Sequence, residues 1–370
     1  MKSIIFVANT SWSLYNFRLG IVKALLLKGF KVVVIAPFDD YSLKLEEVGC
    51  DYFDIKLDNY GTNPFKDIRT IISLVILYRK IRPCIIFHYT IKPNIYGTLA
   101  AYINDIPSIA VTTGLGHLFY RNFFTKKITK QLYCLAGKLC KEMWFLNEQD
   151  VKDFLKEKII TEDKVVLLNS EGINTKHFTP QKSFKKDSKI NFLFAGRLIK
   201  DKGLEILIDT AEKIKDESII FSILGFIDSK NPNSITLQEI QEKHERGIIN
   251  YLGDTADIRP FIAESDCIIF PSFYREGVSR ILLEAASMGK PIITTDNVGC
   301  REVVQDGING FLCEPKSIQS LEETIEKFIS LSKEKRIEMG RAGRRIVKEQ
   351  FSEKRIIDFY LDKITSITQN

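Results

Sequence analysis

Short apolar runs alternate with amphipathic stretches along the whole chain. Residues 3–8 (SIIFVA) are continuously apolar rather than alternating, which predicts a strand buried on both faces of a parallel sheet. Residues 16–29 carry Leu19, Val22, Leu25 and Leu26 on one helical face and stop at Gly29. Further strands are predicted at 31–37, 84–88, 108–112, 142–146 and 164–168, with helical patterns between them. Residues 179–189 (TPQKSFKKDSK) then read as a polar, basic linker. A second series follows: strands at 190–196, 218–225, 248–253, 267–270 and 291–295, helices at 203–214 and 278–288, and terminal helices from 316 onward. Repeated strand–helix–strand units give a parallel sheet covered on both faces. The fold class expected is therefore α/β, with two Rossmann-like domains facing across a cleft, one of residues 1–180 and one of residues 181–350. In such sheets ligands bind outside the carboxyl ends of the strands, so the loops after strands hold the chemistry.

Composition agrees with this reading. At 370 residues the chain exceeds the ~250–300 at which a single core stops growing. Its 45% hydrophobic and 27% charged content excludes a disordered, fibrous or coiled-coil protein. No apolar run reaches the ~18–20 residues of a membrane-spanning helix, and the N-terminus turns polar too early for a secretory leader. The seven cysteines form no C-x-x-C pair and read as buried free thiols of a reducing cytosol. The four histidines lack zinc-site spacing, so no metal is expected.

Charge adds one feature. Residues 1–180 hold 24 basic against 17 acidic side chains, and the remainder is nearly balanced. Within the first half, residues 118–141 combine six basic residues with five aromatics and no acid. Such a window suits an anionic membrane surface. It would also suit nucleic acid, or a core helix with solvated lysines.

Two loops carry candidate chemistry. In residues 195–214 a strand ends, Gly196 lets the backbone turn, and Arg197 and Lys202 precede a helix starting near Gly203. Two cations beside a helix N-terminus make a site for a dianion such as a diphosphate; a solvated loop with two surface cations is the alternative. In residues 270–296, Glu276 and Gly277 lie in a loop after a strand, followed by Val278, Ser279 and a helix containing Glu284. Eight helical residues rotate by roughly 80° past two turns, so the two glutamates cannot share a stripe. An extended ligand across the helix N-terminus meets both, each carboxylate accepting hydrogen bonds from sugar hydroxyls. The alternative for Glu284 is an i,i+4 pair with Arg280.

The glycine-led Arg and Lys, the block EGVSRILLE (276–284) and the trailing GKPIITTD (289–296) resemble the retaining glycosyltransferases of family 4, which have the GT-B fold. The resemblance covers essentially the whole chain. TIKPNIYGTLAA (90–101) and VTTGLGHLF (111–119) are similar to a narrower branch that acts on undecaprenyl-diphosphate-linked sugars in bacterial surface-polysaccharide and protein-glycan assembly.

The resemblance implies a peripheral enzyme on the cytoplasmic face of the bacterial cell membrane. Its substrates would be a UDP-sugar donor, with an N-acetylhexosamine as the leading choice, and a lipid-linked sugar acceptor. Arg197 and Lys202 would hold the donor diphosphate and neutralise the leaving group. Glu276 and the N–H groups of Gly277, Val278 and Ser279 would orient the donor sugar. Glu284 would bind the ribose, and backbone near Leu252 and Gly253 would meet the uracil. No metal, cofactor or protein nucleophile is implied. Thr113 stands where many retaining relatives carry a histidine, so no histidine takes that role. On the acceptor side, Asn9, Thr10 and Ser11 open a helix N-terminus, and Arg18 with Lys92 and Asn94 would meet the acceptor diphosphate; a surface arginine and a helix-capping asparagine are the alternative. Tyr96, Gly114 and His117 would line the same pocket. In this fold the last helix, roughly 351–370, returns to the first domain. The rivals are a non-hydrolysing UDP-N-acetylglucosamine 2-epimerase and a silent UDP-sugar-binding subunit. Nucleic acid is disfavoured by the acidic second half and the sugar-type glutamates.

Overall fold

The core strands are the continuous apolar runs. In this computed structural model, which describes residues 2–58, 61, 63–114, 123–182, 189–228, 231 and 233–368, they assemble into two separate parallel sheets. The chain divides into two compact units, Met1–Gly172 with Glu353–Asn370, and Ile173–Ser352.

The first unit holds β1 (Ser3–Val7), β2 (Lys31–Ala36), β3 (Asp51–Asp54), β4 (Ile85–Tyr89), β5 (Ser108–Thr112), β6 (Glu142–Phe145) and β7 (Val165–Leu167), in the order β3-β2-β1-β4-β5-β6-β7. Its helices are α1 (Ser11–Leu27), α2 (Asp40–Glu47), α3 (Pro64–Ile81), α4 (Thr98–Ile103), α5 (Phe123–Leu139) and α6 (Glu148–Lys156). One face of the sheet packs against α3, α4, α5 and α6 through Leu74, Tyr78, Ala100, Tyr133 and Phe154. The other face packs against α1 and α2, and against the last helix of the chain, through Leu14, Val22, Leu45, Ile356, Tyr360 and Ile364. Helix α1 begins five residues before the apolar pattern suggests, because Thr10 caps it by accepting from the Ser13 N–H.

The second unit holds β8 (Ile190–Ala195), β9 (Ile219–Leu224), β10 (Asn250–Tyr251), β11 (Cys267–Phe270), β12 (Ile292–Thr295) and β13 (Gly310–Cys313), in the order β10-β9-β8-β11-β12-β13. Its helices are α7 (Leu204–Ile214), α8 (Leu237–Glu245), α9 (Arg259–Glu264), α10 (Arg280–Ser287), α11 (Ile318–Ile329) and α12 (Lys333–Gln350); the last helix, α13 (Glu353–Thr368), belongs to the first unit. The boundary falls eight residues before the one read from the sequence. Ile173 and Phe178 are buried in the second core, and the Phe178 carbonyl accepts from Ser287 Oγ at 2.6 Å. The segment just before the polar stretch is therefore part of the second unit's wall.

In both sheets the strand order reverses once, between β1 and β4 and between β8 and β11. There the loops after neighbouring strands run to opposite sides and open a crevice at the carboxyl edge. In the second unit those loops are residues 196–203 and 271–279, which carry both sequence blocks singled out above. All seven cysteines are free.

Candidate functional site

The loop after β8 leads through Gly196 and Arg197 into a short 3-10 turn, Lys200–Lys202, before α7. Gly203 joins turn to helix at φ 77°, and a Cβ there would lie 2.0 Å from the Pro271 carbonyl oxygen. Only glycine lets the two loops approach this closely. The Phe273 N–H donates to the Asp201 carbonyl at 3.0 Å, tying the loop after β11 to the same turn. The result is that Lys202 Nζ stands 3.0 Å from Glu276 Oε1, with both side chains largely shielded. The ion pair lies off the hydrogen-bonding direction, and Glu276 Oε1 is buried without a hydrogen bond. Lys202 also lies over the Phe270 ring, and Arg197 is held against Tyr274. Burial pushes the Tyr274 hydroxyl above its usual range, opposed by the Arg197 charge.

The Glu276 loop is braced from behind by residues that follow β12. Asn297 Nδ2 donates to the Tyr274 carbonyl at 3.0 Å, Thr295 Oγ1 donates to the Ser272 carbonyl, and the Ser279 N–H donates to the Gly299 carbonyl at 2.6 Å. Gly299 has φ 91°, and a Cβ there would come within 2.7 Å of the Glu276 carbonyl oxygen. Sequence reasoning named none of Ser272, Tyr274, Thr295, Asn297 or Gly299. The available signal was the run TTDNVG, which closes an apolar strand and leads out of it.

Two donor-side expectations, the N–H groups of Ser279 and Leu252, are revised, and Glu284 is found paired. The Ser279 N–H is spent on Gly299 and cannot meet a ligand; the unbonded group there is the buried Ser279 hydroxyl. The Leu252 N–H is spent on the Ile223 carbonyl at 2.9 Å, which removes it as a contact for a base. Glu284 accepts from Arg280 Nε at 3.1 Å, the helical pair held as the alternative. Burial nonetheless raises the Glu284 carboxyl above its usual range, with Arg280 opposing the shift. Gly277 and Val278 lie in the loop between Glu276 and α10.

The acceptor-side expectations change more. Arg18 is buried, pairs with Glu171, donates to the Ser13 carbonyl and stacks 3.9 Å over the Tyr89 ring. Its charge is consumed inside the first unit, so it is not placed to meet a diphosphate. Lys92 is likewise paired with Asp67 at 2.7 Å. Tyr96 is also bonded to Asp67, and burial first, then that carboxylate, raises its hydroxyl. Thr10 acts as the α1 cap, and Ser11 Oγ donates to the Pro37 carbonyl while accepting from Ser42 Oγ. Asn9 lies beside them, half-buried. His88 is a core residue: Nε2 bonds Tyr78 Oη at 3.0 Å, and burial pushes the imidazole down to about 3, so it is neutral. His117 lies outside the described residues. In the window 118–141, residues 118–122 also lie outside them, Tyr133 is a core residue and Lys130 pairs with Glu157.

The carboxyl edge of the first sheet holds a different constellation. β4 and β5 run in parallel register, with Tyr89 opposite Val111, which sets Thr90, just past β4, beside Thr112, the last residue of β5. Asn94 Nδ2 donates to the Val111 carbonyl at 3.1 Å, and its N–H to the Thr90 carbonyl at 2.9 Å. Thr90 Oγ1, Asn94 Oδ1 and Thr112 Oγ1 are all buried without a hydrogen-bond partner. Thr90 is held at φ 72°, a conformation costly for a β-branched residue, and Gly114 follows at φ 115°. These are three neutral, buried oxygens without a partner at the carboxyl edge of the sheet, beside the strained Thr90. Among the described residues, no three His, Cys, Asp or Glu side chains group as a metal site.

The chain matches two family models, "Glycosyl transferase 4-like" over residues 3–142 and "Glycosyl transferases group 1" over residues 175–346. It is 29% identical over 336 residues to N,N'-diacetylbacillosaminyl-diphospho-undecaprenol alpha-1,3-N-acetylgalactosaminyltransferase of Campylobacter jejuni, covering 86% of this chain and 87% of that one. It is 25% identical to UDP-Gal:alpha-D-GlcNAc-diphosphoundecaprenol alpha-1,3-galactosyltransferase of Escherichia coli, covering 80% and 83%. Anabaena Alr3699/HepE in complex with UDP superposes with a TM-score of 0.80 at 18% identity, covering 99% of this chain and 100% of that one.

Proposed function

The chain belongs to the glycosyltransferases of the GT-B fold, and from that premise we propose that it moves a sugar, with retention, from a UDP-sugar to a sugar carried on undecaprenyl diphosphate. The observation that carries this reading is the Lys202–Glu276 pair, formed where two loops meet at the strand-order reversal of the second sheet. A nucleoside diphosphate brings two negative charges. Lys202 and Arg197 supply matching positive charge at that crevice. Glu276 is an acceptor for donor-sugar hydroxyls, and Lys202 can pass from Glu276 to the phosphate without leaving the loop.

In the reaction the acceptor hydroxyl oxygen bonds to the anomeric carbon as the bond to the diphosphate oxygen breaks. The proton passes to the departing phosphate oxygen on the same face. Charge then grows on the leaving diphosphate, where Lys202 and Arg197 stabilise it; we assign this task to them and to no metal. UDP and the diphosphate-linked acceptor are supported by the names of the relatives above. An N-acetylhexosamine is the donor sugar we favour, and the cytoplasmic membrane surface the place of work.

The acceptor site we assign differs from the one read from sequence. With Arg18 buried against Glu171 inside the first unit, the unpartnered oxygens of Thr90, Asn94 and Thr112 are suited to a neutral, hydroxyl-rich group. They would take the acceptor's sugar rather than its diphosphate. Thr112→Val should raise the acceptor KM while leaving the donor KM unchanged. Equal effects on both would move these oxygens out of the acceptor site.

A further inference from the structure

Helix α3 presents two opposite faces. Thr70, Leu74 and Tyr78 are buried against the sheet. On the far side Phe65, Ile68, Ile72 and Ile76 are 82%, 54%, 54% and 61% exposed. At 100° per residue these four fall within an arc of roughly 80°, and they run for about 16 Å. Arg79 falls within that arc, Arg69 and Lys80 flank it, and all three are exposed as well. The helix carries one acid, Asp67, which points elsewhere and is paired with Lys92. The apolar surface continues onto the end of α4, where Tyr102 and Ile103 are exposed. Asn104 Nδ2 bonds the Val75 carbonyl at 3.2 Å and fixes that end against α3. Ile103, Arg79, Arg82 and Asp105 line one open recess there, and Asp105 is the acid at its margin.

A solvent-facing stripe of a soluble helix is normally polar. Four large apolar side chains in a row, flanked on the same side by cations, form instead the surface of a helix that lies in a lipid–water interface. Cations on that side attract anionic headgroups while the apolar row enters the acyl boundary. We propose that the outer face of α3, extended by Tyr102 and Ile103, docks the first unit onto an anionic phospholipid surface. The proposal rests on the lipid-linked acceptor reading for its purpose and on the surface alone for its chemistry. It places the contact on α3, a helix that the basic-aromatic window did not include.

The test is sedimentation of the full-length protein with vesicles of phosphatidylcholine alone or with roughly a third phosphatidylglycerol, without substrate. Binding is expected to the anionic vesicles and to weaken in high salt. Ile72→Glu/Ile76→Glu and, separately, Arg69→Glu/Arg79→Glu should each weaken that partition at least tenfold. Both change exposed positions and should leave the melting temperature unaltered. Wild-type sedimentation with neither vesicle, or unchanged partition in both variants, overturns the proposal. So does loss of binding through Lys127→Glu/Lys138→Glu on α5 alone. A second copy of the chain as occupant would show as a wild-type dimer that Ile72→Glu/Ile76→Glu makes monomeric without altering vesicle binding, and this too overturns it. Transfer to a short-chain acceptor in detergent should persist in both α3 variants. If neither the wild type nor any variant transfers sugar yet the vesicle results hold, the functional reading fails and the docking face stands.

Discussion

Lys202 and Glu276 lie 74 positions apart and are held within 3.0 Å of each other by two loops that share hydrogen bonds. Glu276→Gln keeps the shape and removes the charge. We expect kcat to fall on the order of 100-fold or more, as when a group aimed at developing charge is lost, with the melting temperature unchanged. A large drop in melting temperature with kcat preserved would make Glu276 a structural residue. His88 offers a contrasting case. It titrates near 6.5 in an unfolded chain and about 3 in the folded one, so the unfolded chain binds more protons between those values. Stability therefore falls as the pH drops through that window, by about 1.4 kcal/mol per unit at most. Denaturation midpoints measured from pH 6.5 to 4 should decline, and His88→Gln should flatten the decline. Tyr78→Phe should cost about 1–2 kcal/mol by unpairing Nε2, with both KM values unaltered. The placement of Arg197, Lys202 and Glu276 at one crevice was legible because their loops follow recognisable strands. That of Arg18 was not, because its partner Glu171 is 153 positions away. Charge type reads from sequence, but its neutralisation depends on what folding brings beside it.

The element that matters most is the loop between β11 and α10, and it is stiffened by residues from the next crossover. Gly299→Ala would place a methyl group at φ 91° within 2.7 Å of the Glu276 carbonyl. Strain of that kind costs about 1–3 kcal/mol. The loop has to shift to relieve it, so the donor KM should rise and kcat fall while far-UV circular dichroism is retained. Asn297→Ala, which deletes the side-chain bonds to the Tyr274 and Ser272 carbonyls without backbone strain, should act in the same direction and less strongly. Unchanged kinetics in both would show that the loop holds its shape without the brace. The long buried strands were readable because a strand covered on both faces is apolar throughout. The edge strands β3 and β13 were not assigned: Asp51–Asp54 carries an acid at each end, and Gly310–Cys313 starts on glycine. The turn at Pro93–Gly97 is a π-helical one, and no sequence period announces it.

At the scale of the molecule, chain order and domain membership differ, because α13 completes the core of the first unit. Ile356, Tyr360 and Ile364 are buried there, and Tyr360 Oη bonds Tyr89 Oη at 2.9 Å. Ending the chain at Ser352 would delete these three large side chains and uncover the core surface they pack on, each burial contributing about 1.5–3 kcal/mol. That sum rivals the whole stability of a domain. The truncated protein should lose the melting transition of the first unit, and retention of that transition would contradict the assignment of α13. Two domains and their sheet type were legible from the rhythm of apolar runs, whereas the first boundary was misplaced because Phe178 gives no local sign of which core it joins. The most direct test of the central claim is a transfer assay. Purified protein in detergent and EDTA would be offered each common UDP-sugar, with and without a polyprenyl-diphosphate-linked sugar acceptor, and the products read by mass spectrometry and NMR. The account predicts one α-linked product from one donor, dependent on the acceptor and abolished by Glu276→Ala. Donor epimerisation without acceptor, or α-linked transfer that survives Glu276→Ala undiminished, would contradict it.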